Sequence, residues 1–162
     1  MKFTRFVVLA GVTAILSASV FAQGASAQKV VTVEMAQTIA QEAMTTCRAN
    51  GYKVTVLVVD ALNMPKALLR DDGATASTTE VAKMKATATM LYNRPSGPAQ
   101  PPPPGTTAPP LPIAGTINAQ GGVPIKVGDI TIGAVAVSGA PGGDKDAACA
   151  SAGIAKVADK LK

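Results

Sequence analysis

The sequence predicts an α+β fold, an antiparallel sheet flanked by helices. Three observations carry this. Two pairs of strand-like runs are each joined by a short turn, three segments repeat apolar or small residues at helical spacing, and no strand–helix–strand series of the kind that builds a parallel sheet is present. With 162 residues the chain has room for one ordinary domain.

The first 27 residues stand apart from that domain. Lys2 and Arg5 precede the apolar run FVVLAGVTAIL, and Ala25-Ser26-Ala27 has the small-residue pattern of a cleavage site. This is the layout of a secretory signal peptide cut after Ala27, and the apolar run is shorter than the ~20 residues that span a bilayer. The domain is then residues 28–162, and its expected location is periplasmic or secreted.

In TVEMAQTIAQEAMTTCRANG, residues Ala36, Ile39, Ala40, Ala43, Met44 and Cys47 share one helical face, and Asn50-Gly51 stops the helix. KVTVLVVD at 53–60, the turn ALNMP and KALLRDD at 66–72 make a hairpin. Ser77-Thr78-Thr79-Glu80 fits a capping box for a helix running to about Leu91. Its expected inward stripe is Val81, Met84, Ala88 and Leu91, with Lys83, Lys85 and Thr89 off it. Residues 94–112 hold nine of the twelve prolines and read as a surface loop. VPIKV at 123–127 and ITIGAVAV at 130–137 form a second hairpin around Gly128-Asp129. From Asp144 to the end a helix is expected, with Ala147, Ala150, Ile154, Val157, Ala158 and Leu161 as its stripe. Residues 112–117 are a weak fifth strand.

Composition excludes several functions. After residue 27 there are thirteen basic and ten acidic residues, a net charge of +3, with no basic run and few aromatics, so nucleic acid is not an expected partner. No second apolar segment is long enough to cross a membrane. There is no histidine, which removes the commonest general base and metal ligand together, and two cysteines without histidine do not assemble a usual zinc site.

The stretch GAVAVSGAPGGDKD at 133–146 has the strand–glycine turn–helix context of a phosphate loop. Its spacing is wrong for a Walker loop, because Lys145 is followed by Asp146, and G-x-G-x-x-G is absent. Asp144 and Asp146 would meet a phosphate with like charge but suit a helix start, so the segment reads as a turn feeding a capped helix. Asp60, Asp71 and Asp72 can cluster near the first hairpin, although turn aspartates usually cap or face water. Ser138 lacks both a histidine and the nucleophile elbow.

VTVLVVD, LLRDDGA, KMKATATM, GGVPIKVGDITIGAVAVSGA and DAACASAGI, in that order, resemble the GlcG/HbpS-like family of haem-binding proteins, whose domain also forms the C-terminal part of PduO-type corrinoid adenosyltransferases. The resemblance covers nearly all of the chain after the leader except the proline-rich loop, and is most specific in its last third. It implies a five-stranded antiparallel sheet flanked by helices, profilin-like in shape, and homo-oligomers. It also implies a small-molecule ligand, haem or a related tetrapyrrole, and places Arg70, Lys85, Gly121, Gly122 and Ser138 in the binding wall, with Arg70 and Lys85 facing propionates. Haem-binding relatives often offer the iron a histidine, which this chain lacks; a methionine, tyrosine, lysine or cysteine would have to serve, and Met64, Met84, Met90 and Tyr92 are available. Asn63 stands where the family's first turn usually has glycine.

The residues thus point first to an exported ligand-binding protein. The alternative is an enzyme acting on haem or a small organic acid, for which Asp60 or Glu80 with Lys85 is the acid–base pair on offer. An assembly protein is a third reading. Cys47 and Cys149 either pair or stay free. The topology can bring the two helices together as neighbours, but Cys149 falls beside the apolar stripe of its helix, and the similar family segment needs no bridge.

Overall fold

A computed structural model gives the structure of residues 29–98 and 113–162. The leader and most of the proline-rich segment lie outside the described residues.

Helix α1 spans Val33–Ala49, opened by Thr32, whose hydroxyl accepts from the Met35 N–H at 3.2 Å, a cap worth about 1 kcal/mol. Its expected face, Ala36, Ile39, Ala40, Ala43, Met44 and Cys47, is buried as read. Strand β1, Thr55–Asp60, turns into β2, Pro65–Arg70, through Asn63 at φ 60, a left-handed position that asparagine tolerates. Helix α2 is Ser77–Tyr92, β3 is Gly122–Val127, β4 is Ile130–Ser138 and α3 is Gly143–Ala155. The sheet is antiparallel in the order β2-β1-β4-β3. It has four strands among the described residues, and residues 113–117 form a turn where a fifth was expected.

The sheet separates two cores. On one face α1 and α3 bury Val54, Val56, Ile125, Val135 and Val137 with their own Ile39, Met44 and Ala150. On the other, α2 lays Ala82 and Ala86 on Leu57, Val59, Ala134 and Ala136. Small residues on both sides let α2 sit close to the strands.

That close approach rotates α2 away from its expected phase. Thr78, Ala82, Lys85, Ala86, Ala88 and Thr89 face inward; of the expected stripe only Ala88 is buried, Val81 and Met84 are half-buried, and Leu91 is 49% exposed. The capping box does not form either. The cap position is Ala76, with no side-chain bond to the helix start, and Glu80 pairs with Lys83 at 2.8 Å. Helix α3 begins one residue early and stops at Ala155, short of the expected run to the terminus. A 3₁₀ turn at Ala158–Lys160 follows, with Val157 buried between them. Its buried face is Asp146, Cys149, Ala150 and Gly153, which includes the cysteine that hydropathy placed beside the stripe.

The described ends of the proline-rich segment are tied together. The Ser96 hydroxyl accepts from the Gly122 N–H and donates to the Ala119 carbonyl, each at 2.8 Å, and the Ser96 N–H donates to the Gly122 carbonyl at 3.0 Å.

Cys47 and Cys149 are bonded, with Cα atoms 5.6 Å apart, and join α1 to α3 across a separation of 102 residues. A loop that long restricts the unfolded chain by about 4.7 kcal/mol in the chain-entropy account. Reduction, or the double replacement Cys47→Ala with Cys149→Ala, should lower the unfolding free energy from urea denaturation by an amount of that order, and the midpoint with it. A midpoint unmoved by dithiothreitol would count against a formed bridge.

Candidate functional site

Four of the five expected wall residues meet at the end of β4. Lys85 reaches from the buried side of α2, 3% exposed, and donates to the Val137 carbonyl at 2.9 Å and to Asp146 Oδ2 at 2.7 Å. Asp146 Oδ1 accepts from the Ala140 N–H at 3.0 Å. Gly121 makes room for the ammonium: its φ is +131°, and a Cβ there would lie 2.7 Å from Lys85 Nζ and 2.5 Å from the Val137 oxygen. Gly122 packs its Cα side against the Thr89 and Ser96 hydroxyls and the Lys85 carbonyl. Ser138 closes β4 opposite Thr55, whose hydroxyl bonds that of Thr78 at 2.7 Å.

This arrangement explains the glycine-rich loop. The carboxylate of Asp146 occupies the donors that a phosphate would seek, and Asp146 turns inward instead of capping α3, whose cap position is Gly142 with no side-chain bond. Asp146 was also the residue that sequence reasoning missed as a partner for Lys85.

Arg70 stands elsewhere. It ends the edge strand β2 in one row with Thr55 and Ser138, on the sheet face that carries α2, and donates to the Ala74 carbonyl. Two strand spacings of roughly 4.8 Å separate the Arg70 and Ser138 backbones. Arg70 and Lys85 therefore do not share a pocket wall: the Lys85 ammonium is committed inside the protein, and the Arg70 side chain is exposed. Helix α2 packs chiefly on β1, β4 and β3, so Arg70 and Leu68, alternate residues of β2, form an uncovered shelf.

The three aspartates near the first hairpin do not converge. Asp60 Oδ1 accepts from the Leu62 and Met64 N–H groups of its turn, Asp71 takes a two-pronged contact from Arg48 at 2.9 and 3.1 Å, and Asp72 is exposed. Of the possible iron donors, Met64 is exposed in the first turn, and Met84, Met90 and Tyr92 are half-buried. Among the described residues no group of three His, Cys, Asp or Glu side chains could hold a metal, and no helix is long and apolar enough to cross a membrane. An open groove of about 580 Å³ runs between α1 and β2, lined by Gln37, Gln41, Glu42, Ala67, Leu69 and Lys156. Ala67 and Leu69 point to the α1 face, so this groove and the Arg70 shelf lie on opposite sides of the sheet.

The two main ion pairs respond oppositely to pH. The Arg48 hydrogen bonds hold the Asp71 carboxyl below its ordinary value, so its contribution is present at neutral pH and is lost as pH falls through the lowered value. Burial pushes the Asp146 carboxyl up, against the pull of Lys85 and the Ala140 N–H. The folded chain thus holds more protons there than the unfolded chain, and that contribution declines as pH rises from the ordinary to the raised value. Asp71→Asn should flatten the acid limb of a stability–pH profile measured by urea denaturation. Asp146→Asn should keep that limb and lower the profile at neutral pH by roughly 3–5 kcal/mol, the cost of stranding a buried charge. A steep acid limb retained in Asp71→Asn would overturn the assignment.

No curated protein matches the sequence. Among solved structures, HbpS superposes with a TM-score of 0.68 at 27% identity, covering 81% of this chain and 92% of that one. A Streptomyces reticuli HbpS carrying two glutamate-to-aspartate changes matches at 27% identity and TM-score 0.68, over 86% and 96% of the two chains. The fold is also shared with Klebsiella pneumoniae ORFY, at 23% identity, TM-score 0.71 and coverage of 83% and 96%. The family model described as "Haem degrading protein HbpS-like" matches residues 31–155, from the residue before the α1 cap to the last residue of α3, and the chain belongs to that HbpS-like family.

Proposed function

We propose that the protein is an exported member of this family that binds haem or a related tetrapyrrole. Family membership over residues 31–155 is the observation that carries the proposal. A solved complex of PduOC with heme shares the fold at 19% identity and TM-score 0.67, over 79% of this chain and 95% of that one. On the chain itself, the shelf of Leu68 and Arg70 supplies an apolar surface beside an exposed guanidinium, suited to a planar acid. Lys85 lies apart from the shelf, its ammonium already paired with Asp146 inside the protein. Gly121, Gly122 and Ser138 belong to the packing around that internal pair. The iron would find no imidazole, since the chain has no histidine, and a thioether or phenol would replace it. Assembly into homo-oligomers accompanies this function and would give the shelf its missing wall.

Native mass spectrometry of protein from its own host tests export, assembly and ligand together. The expected mass is that of a multimer of chains starting at Gln28 with tetrapyrrole attached. Full-length monomers in the cytoplasm would overturn the export and assembly parts.

Titration with hemin tests the ligand directly. The expected binding is weaker than about 1 μM and high-spin, and Arg70→Ala should weaken it about tenfold, or ~1.4 kcal/mol. A submicromolar, low-spin, bis-liganded spectrum would refute this ligand set. The family's own description favours a second reading, haem degradation. Loss of the Soret band under reductant and oxygen, with release of iron, would support that reading over simple binding.

A further inference from the structure

Among the described residues, eight large apolar side chains are exposed, and six of them gather at one end of the molecule. The β1–β2 turn carries Leu62 and Met64, 82% and 58% exposed, and the β3–β4 turn leads into Ile130 at 69%. These turns lie at the same end of the sheet, because Asp60 pairs with Gly133, three residues after Ile130. Val30 and Val33 join them: the intervening Val31 packs at Gly133 and beside Asp60, which brings the start of α1 to this end. Leu91 arrives with the last turn of α2, held there by Asn63 to Thr87 at 3.0 Å and by a Thr131–Asn93 side-chain bond. Basic side chains are interspersed: Lys29, Lys66 and Lys126 on the strands and entering chain, and Arg94 just past α2. Three acids lie here as well: Glu34 is exposed beside Val33, Asp129 is exposed at the β3–β4 tip, and Asp60 is turned back onto the N–H groups of its own turn, with Lys66 3.9 Å from its carboxylate.

We propose that this end docks on an anionic lipid surface, with Leu62, Met64 and Ile130 entering the headgroup boundary and the cations meeting phosphates. Apolar tips on separate loops, ringed by lysines, suit a soft interface that each can enter independently. A second copy fits less well, since a symmetric contact would bring the same cations face to face. Lys29, next to Val30, bonds the Lys162 carbonyl, which brings the chain's last residue to this end too. The inference stands independently of the tetrapyrrole proposal.

The test uses residues 28–162, which contain every described element, so that the leader does not itself partition. Co-sedimentation with phosphatidylcholine vesicles, with and without phosphatidylglycerol, should show binding that needs the anionic lipid and weakens as salt shortens the Debye length. The double variant Leu62→Ser with Ile130→Ser alters exposed turn residues and should keep its circular dichroism and melting temperature while losing vesicle binding at least tenfold. No sedimentation with anionic vesicles, or equal binding by the variant, would overturn the proposal. A variant whose only change is a smaller assembly by light scattering would overturn it in favour of a contact between copies.

Discussion

A lysine ammonium cannot be left in a protein interior without a counter-charge, and at Lys85 that requirement organises much of the molecule. Asp146 has to sit in the first turn of α3, just past the end of β4, the loop from Gly139 to Gly142 has to bend around its carboxylate, and Gly121 has to remain without a side chain. Lys85 comes from the helix on one face of the sheet and Asp146 from a helix on the other, so the pair holds the two layers around the last residues of a central strand. It also sets the phase of α3. Cys149 lies three residues after Asp146, on the same face, and is therefore turned toward Cys47.

The same pair marks where the sequence was legible and where it was not. Runs rich in β-branched residues, with the turns ALNMP and Gly128-Asp129 between them, located both hairpins, and the α1 face was read residue for residue. Helices α2 and α3 were misphased for one physical reason. A stripe drawn from apolar residues treats charge as outward, but each of these helices buries one charged residue that the other satisfies. The usable sign was size, since Lys85 lies between Ala82, Ala86 and Thr89, the small residues that a close-packed helix presents to strands. The expected cap at Ser77 failed similarly, because Thr78 is drawn inward to bond Thr55.

At the site, the wrong glycine spacing and two nearby acids ruled out a phosphate loop, and the geometry supplies the cause in the Asp146 contact to the loop backbone. Four candidate residues were rightly grouped but belong to the internal support, while Arg70 alone among the five faces solvent on an edge strand. Sequence gave no means of separating these roles, because a lysine reads alike whether it meets a ligand or an aspartate 61 residues away. The missing histidine, by contrast, is plain in the composition and bears on ligand chemistry without touching the fold.

The knot of bonds between Ser96, Ala119 and Gly122 has an evolutionary corollary. These residues clamp together the described ends of a long segment, 26 positions apart at the outer bond, so its closure is fixed at the clamp. Doubling or halving such an excursion alters closure entropy by only ~0.6 kcal/mol. As far as closure goes, a lineage could lengthen or trim the chain between the clamped ends at little thermodynamic penalty to the sheet and helices.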